Sequence, residues 1–226
     1  MRRYAATIFV LALLVGTAVA FAETERLKLQ PTPIQESFVQ PAFSPVCACP
    51  LARAAIRIGL HRANTVSVKI RDQAGHTVRV LVDSKPLPRG RTQFAWNGRD
   101  DTGRQLPDGR YSVVVHLRHG DRTFKLPRAT VLDTVPPTVR LVSVRPTELR
   151  VGGRILVVYR VSEPAHGVLF VNGNRLIVTY TKSRTARLQW KPRRAGLYRL
   201  QLAAVDLAGN LGPRSPAFTV RVRSSA

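Results

Sequence analysis

Three aspartates crowd one short stretch of this sequence. In "AWNGRDDTGRQLPDGRY", Ala95 to Tyr111, Asp100, Asp101 and Asp108 stand among Arg99, Arg104 and Arg110 and beside Gly98, Gly103 and Gly109. Clustered carboxylate oxygens are what calcium takes as ligands, but the spacing is not that of an EF-hand loop and three arginines lie between and beside the acids. The alternative is turn chemistry, in which Asp and Asn bond their own backbone two residues on and Gly supplies the positive φ. Turn chemistry is the stronger reading. Paired acid–base catalysis is the weakest, because the sequence places no other acid or base near these carboxylates.

The remaining reactive residues make no better constellation. His116 and His119 are three apart in a segment that alternates with period two, so they point to opposite faces unless the strand ends between them. His61, His76 and His166 fall at turns or strand ends without ligand spacing. The only cysteines, Cys47 and Cys49, lack a second Cys or His pair for zinc, which leaves free thiols or a local disulfide. No G-x-S-x-G, H-E-x-x-H or phosphate-cradling glycine loop is present. The reading is of a protein that is not an enzyme, with no cofactor, no metal and no small-molecule substrate.

Charge is the stronger chemical signal. The chain has 36 Lys and Arg against 13 Asp and Glu, a formal net charge of +23, which attracts polyanions in a salt-dependent way. Residues 134–226 carry 16 of the bases and only three of the acids. Lys182, Arg184, Arg187, Lys191, Arg193 and Arg194 fall within thirteen positions and make a candidate polyanion patch. Solvated strand faces are the simpler account, as where Arg221 and Arg223 alternate with Val220 and Val222. Aromatic residues of the kind that stack single-stranded bases are mostly missing from the basic region, so nucleic acid is a poor partner.

These residues are positioned by short strands. Arg2 and Arg3 precede an uncharged run from Tyr4 to Ala22 that ends in small-residue sites, the order of a secretory signal peptide. The run has 19 residues, so it also suffices as an uncleaved anchor; both readings export the remainder. Residues 23–41, with Pro31, Pro33 and Pro41, read as a semi-extended tether. Beyond it, alternating apolar segments recur between Gly, Pro, Asn and Asp: 54–60, 66–71, 76–82, 92–96 and 111–117, then, after the break "DTVPPT" at 133–138, 139–144, 155–161, 168–171, 175–180, 185–190, 198–205 and 217–223. That pattern predicts an all-β chain of two tandem antiparallel β-sandwiches of immunoglobulin or fibronectin type III size, 42–133 and 134–226. The halves also echo each other. Trp96 and Trp190 each end a strand, and Gly109-Arg110-Tyr111 and Gly196-Leu197-Tyr198 each open the next, the pattern of a tyrosine corner.

The segments "FSP" (43–45), "VSVKIRDQAGHTVRVLVD" (66–83) and "WNGRDDTGRQLPDGRY" (96–111) together resemble the FlgD-like immunoglobulin-like module of flagellar hook-capping proteins. Asp72 and Gly75 match its D-x-x-G turn; Trp96, Gly98, Asp100, Gly103, Gly109 and Tyr111 match its final block. The resemblance covers about residues 42–133 and departs at "VCACP" (46–50), where relatives often carry an Asn/Gly/Asp-rich turn. The second half is similar to bacterial immunoglobulin-like repeats through "DTVPPTV" and "AVDLAGN" (204–210). Such modules imply an extracellular or cell-surface protein that serves adhesion, spacing or assembly. Its expected partner is an envelope protein, with an anionic wall polymer or lipid surface as the alternative.

Overall fold

The computed structural model describes residue 9 and residues 11–22, 33–181 and 183–224, with Ile177 and Tyr180 described by backbone alone. The charged start of the expected leader, residues 23–32 of the expected tether, and Lys182 lie outside the described residues. Residues 11–22 are helical. Among the described residues no helix is long and apolar enough to cross a membrane.

The first unit contains nine strands: β1 (Ile34–Val39), β2 (Ala42–Phe43), β3 (Ala54–Leu60), β4 (Asn64–Arg71), β5 (Thr77–Leu87), β6 (Gly90–Trp96), β7 (Gly109–Leu117), β8 (Arg122–Lys125) and β9 (Thr130–Leu132). They form a three-stranded sheet in the order β1-β3-β6 and a larger one in the order β2-β9-β7-β4-β5, with β8 also paired to β7. Alternation explains the layering. Tyr111, Val113, Val115 and Leu117 share one face of β7 and are buried, and they meet Ile56, Ile58 and Trp96 of the smaller sheet in one core. Each large side chain fully buried in this way contributes roughly 1.5–3 kcal/mol.

The second unit repeats the plan. Its strands are β10 (Val139–Arg145), β11 (Glu148–Arg150), β12 (Ile155–Val161), β13 (Ala165–Val171), β14 (Asn174–Thr181), β15 (Thr185–Trp190), β16 (Gly196–Val205) and β17 (Phe218–Arg223). The sheets run β10-β12-β15 and β11-β17-β16-β13-β14. Strand for strand this is the order of the first unit once the β8 hairpin is set aside, down to a short strand pairing parallel with the last one: β2 with β9, β11 with β17. Every other pairing is antiparallel. The chain is therefore all-β with two tandem immunoglobulin/fibronectin-type-III-like sandwiches, each with its own core.

The tether expectation requires a correction at its end. Residues 34–39 form β1, paired antiparallel with β3 from Ile34↔Leu60 to Val39↔Ile56. Pro33 and Pro41 bracket this strand, and prolines there interrupt no ladder hydrogen bond, because they sit just outside a strand at a sheet edge. Val39 reaches the core, and the Arg57 guanidinium lies 4.4 Å from the Phe38 ring centroid. The first strand of the larger sheet, near the "VCACP" departure, is the two-residue β2, after which the cysteine loop leads to β3.

Candidate functional site

The acidic stretch is the connection from β6 to β7. Trp96 anchors its start, buried to 1% exposure with its indole Nε1 donating to the Arg99 carbonyl at 3.0 Å. Tyr111 anchors its end, its hydroxyl donating to the Pro107 carbonyl at 2.7 Å, with the two rings edge-on at 5.0 Å between centroids. Burial pushes the Tyr111 phenol up, with help from the charges of Asp72 and Asp108. Gly98 has φ +77°, and a Cβ there would lie 2.8 Å from Leu132 Cδ1, so the turn demands glycine on two counts.

Each aspartate serves a different partner. Asp100 is 8% exposed, and its Oδ1 accepts from the Thr102 N–H at 3.0 Å, the Thr102 hydroxyl at 2.7 Å and the Arg104 N–H at 2.9 Å. Its Oδ2 lies 3.2 Å from Arg104 Nε. The Thr102 hydroxyl bond is the main cause that holds this carboxyl below the usual range; the Arg104 and Thr102 amides and the Arg104 charge add to it, and burial works against them. Asp101 turns the other way and accepts the Val80 N–H of β5 on both oxygens, at 3.1 and 3.2 Å. Asp108 accepts from the N–H and hydroxyl of Thr134, between the two sandwiches. Carboxylates aimed at three different protein partners do not converge on one cation. Among the described residues no group of three His, Cys, Asp or Glu is placed to hold one.

The other motif residues also shape backbone. Asp72 Oδ1 accepts the His76 N–H at 2.8 Å and Gly75 takes φ +90°, which closes the β4–β5 turn. In the second unit Trp190 and Tyr198 are edge-on at 5.0 Å, and the Tyr198 hydroxyl donates to the Arg194 carbonyl at 2.9 Å. His116 Nδ1 meets the Thr123 hydroxyl at 3.1 Å on the β7–β8 hairpin, while the His119 N–H donates to Asn64 Oδ1 at 3.0 Å.

Cys47 and Cys49 are bonded to each other, with their Cα atoms 5.2 Å apart. Sequence reasoning did not anticipate where that bridge sits. It packs on Gly209 of the second unit, φ +96°, where a Cβ would come within 2.5 Å of Cys49 Sγ. Gly209 belongs to the D-x-A-G-N turn. Asp206 accepts from the Asn210 N–H at 2.9 Å and from Asn210 Nδ2 at 2.7 Å, and Asn210 Nδ2 also donates to the Asp133 carbonyl at 2.9 Å. The cysteine loop, Asp133 and this turn thus make the joint between the sandwiches. Burial first, and then neighbouring carboxylates, push the Asp133 and Glu163 carboxyls up.

The described members of the basic cluster lie on and beside β15. Arg184 precedes β15, Arg187 lies on its outward face with Thr185 and Gln189, and Lys191, Arg193 and Arg194 follow it. At ~3.3 Å per strand residue, the cluster stretches along the sheet. Arg187 borders an opening at the edge of the second sandwich. This is a groove of about 520 Å³ between β14 and β15, lined also by Tyr159, Thr179, Thr181, Thr185 and Ala186. Arg221 and Arg223 face solvent from β17 and share Glu148 of β11, at 4.0 and 2.7 Å.

Residues 52–121 match the family model of the FlgD Ig-like domain. Among solved structures, the chain is similar to the fibronectin(III)-like modules of Clostridium thermocellum CbhA, at 12% identity over 84% of this chain and 95% of that one, with a TM-score of 0.45. It is also similar to the D0-D1 domain of intimin, at 11% identity over 83% of this chain and 98% of that one, TM-score 0.33. The BSP domain of a biofilm associated protein is similar at 14% identity over 86% of this chain and 30% of that one, TM-score 0.31. No curated protein matches the chain.

Proposed function

We propose that this chain, whose residues 52–121 match the family model of the FlgD Ig-like domain, is an exported, non-enzymatic envelope protein that works as an adhesion, spacer or assembly module. The observation that carries the reading is the use made of its reactive groups. Asp100, Asp101 and Asp108 are bonded to backbone, to a strand edge and to the inter-sandwich segment, so the acidic stretch builds the scaffold rather than a reaction centre. What the molecule offers to a partner is strand edges and faces. The leader-like residues 1–22 support export, and the Cys47–Cys49 bridge fits it, since disulfides persist in oxidising compartments. Cell fractionation and in vivo crosslinking test this. The expected result is chain outside the cytoplasm, crosslinked to a discrete envelope protein; a cytoplasmic chain would end the proposal.

A second reading rests on a separate observation: no carboxylate lies between Glu163 and Asp206, while eight Lys and Arg do. The second sandwich then binds an anionic wall polymer or lipid headgroup surface. Retention on isolated envelopes should fall steeply with salt, as screening of exposed charge requires, and fall again when Lys191, Arg193 and Arg194 become Ser. Salt-insensitive retention excludes it.

A further inference from the structure

The two sandwiches share one plan, yet they treat one strand differently. β5 and β14 hold the same place, the outer strand of the larger sheet. An outer strand presents unpaired N–H and C=O groups along its free side, and proteins usually blunt it. β5 is blunted several times over. Asp101 takes the Val80 N–H, Arg79 Nη1 donates to the Asp100 carbonyl at 2.8 Å, Pro86 removes a donor, and the register with β4 shifts three times.

β14 is far less protected: its register with β13 shifts once, at Leu176, and among the described residues no side chain is bonded to its free backbone. Its eight residues, "NRLIVTYT", include one charge and no proline, and among the described residues its only strand partner is β13. Leu176 and Val178, on one face, are 53% and 46% exposed. The cause lies in the corner that follows. Fifteen positions separate Trp96 from Tyr111, enough chain to fold back over β5; eight separate Trp190 from Tyr198, and that loop instead meets the turn after β11, where the Pro192 carbonyl accepts the Gly152 N–H at 3.2 Å. On its inner side β14 borders the threonine-lined groove, inside which the Tyr159 hydroxyl meets Thr179 Oγ1 at 3.2 Å. Arg187 lines it and is exposed, as are Arg175 on β14 and Arg184 just before β15, in a stretch with no carboxylate between Glu163 and Asp206.

The geometry points to β14 as an acceptor edge for an extended acidic segment of a partner protein, which adds as a sixth strand to the five-stranded sheet. Main-chain hydrogen bonds supply the register. Alternate side chains then sort by face. Apolar residues lie beside Leu176 and Val178, and carboxylates lie over the groove toward Thr185 and Arg187. The guest that fits has a period of two, apolar and acidic in turn. This rests on the binding-module reading above and specifies how that module takes its partner.

The test uses the full-length chain and an eight-residue synthetic peptide of alternating Val and Glu. Two controls accompany it: the same peptide N-methylated at every second residue, and inorganic polyphosphate. Binding is titrated and amide hydrogen exchange followed by mass spectrometry. The expected result is protection of residues 174–181 by the plain peptide and affinity at least tenfold weaker for the N-methylated one. The double variant Leu176→Glu/Val178→Glu, at exposed positions, should weaken the plain peptide at least tenfold with unchanged thermal melting. No protection of 174–181 at about 1 mM peptide, where even the weakest specific binding would register, overturns the inference. So does equal binding of the N-methylated peptide. Polyphosphate that binds as tightly as the peptide and leaves 174–181 unprotected favours the polymer reading instead. If an envelope partner crosslinks to another face while the peptide fails, strand addition is lost and the module reading stands.

Discussion

The two Trp-to-Tyr corners have nearly the same anchors and very different spans. In both, the rings sit edge-on with centroids 5.0 Å apart, and in both the tyrosine hydroxyl bonds a carbonyl four residues back, at 2.7 Å to Pro107 and 2.9 Å to Arg194. The seven additional positions of the first corner do not alter that geometry. They supply Asp100, which organises the loop, and Asp101, which the organised loop delivers to the β5 edge. The difference teaches that the acidic stretch is a cover for a strand. The sandwich that lacks the cover keeps an edge open.

The largest effect expected from this comparison is in the anchors themselves. Trp96→Ala removes a ring packed at 5.2 Å from Phe43 and 5.0 Å from Tyr111 and should cost about 3–5 kcal/mol in the first sandwich. Trp190→Ala should fall at the low end of that range, since Trp190 keeps 7% of its surface exposed against 1% for Trp96. Chemical denaturation followed separately in each sandwich measures both, and a larger loss from Trp190 would break the ordering. Next comes Gly98→Ala, which forces a side chain into φ +77° and against Leu132 Cδ1. Roughly 1–3 kcal/mol of destabilisation is expected, confined to the first sandwich. The cover itself comes third. Asp101→Ala frees the Val80 N–H, so exchange at that amide should speed up about tenfold, in line with loss of one charge-assisted hydrogen bond. The alternating Val/Glu peptide should then also protect β5, giving the first sandwich a weak form of the second one's property. Unchanged Val80 exchange would show that the loop shields the strand without Asp101.

Much of this architecture was legible in the sequence because it is written in local periods. Tyr111, Val113, Val115 and Leu117, like Tyr198, Leu200, Leu202 and Ala204, alternate along the chain and line one face in the fold. Asp72, Gly75, Gly98 and Gly103 encode turns within a few residues of themselves. β1 escaped notice because its exposed and half-buried residues give a weak alternation and the flanking prolines suggest a tether. The contacts that decide function are longer in range. Asp101 reaches Val80 across 21 positions, and the cysteine bridge meets Gly209 from the far end of the chain. The basic cluster was visible as a run of charge; of its described members Arg187 lies on β15, with Arg184 before it and Lys191, Arg193 and Arg194 after it. The openness of β14 depends on sheet order and on the length of the next corner, neither of which a single strand's pattern records.

The smallest effect separates the corner from the joint by pH. Asp100 is held below the ordinary carboxyl range, so its stabilisation is present above about pH 3.9, the unfolded value, and is lost as pH falls through the lower folded one. Asp133 and Glu163 are pushed up, so the sign reverses. Their contribution is complete below about 3.9 and 4.3, their unfolded values, and is lost as pH rises through the raised folded ones. Acidification from neutral pH toward about 4.3 should therefore tighten the joint before the first corner begins to loosen. Melting of the full-length chain over that interval is expected to shift upward by a small amount. The double variant Asp133→Asn/Glu163→Gln should abolish the shift and sit near the acid value throughout, because the substituted amide oxygen can still accept the Val135 N–H that Asp133 accepts at 3.0 Å. Asp100→Asn, by contrast, should leave the shift in place while lowering stability at neutral pH. A rise that survives in the joint variant and vanishes in the corner variant would assign the two titrations the other way round.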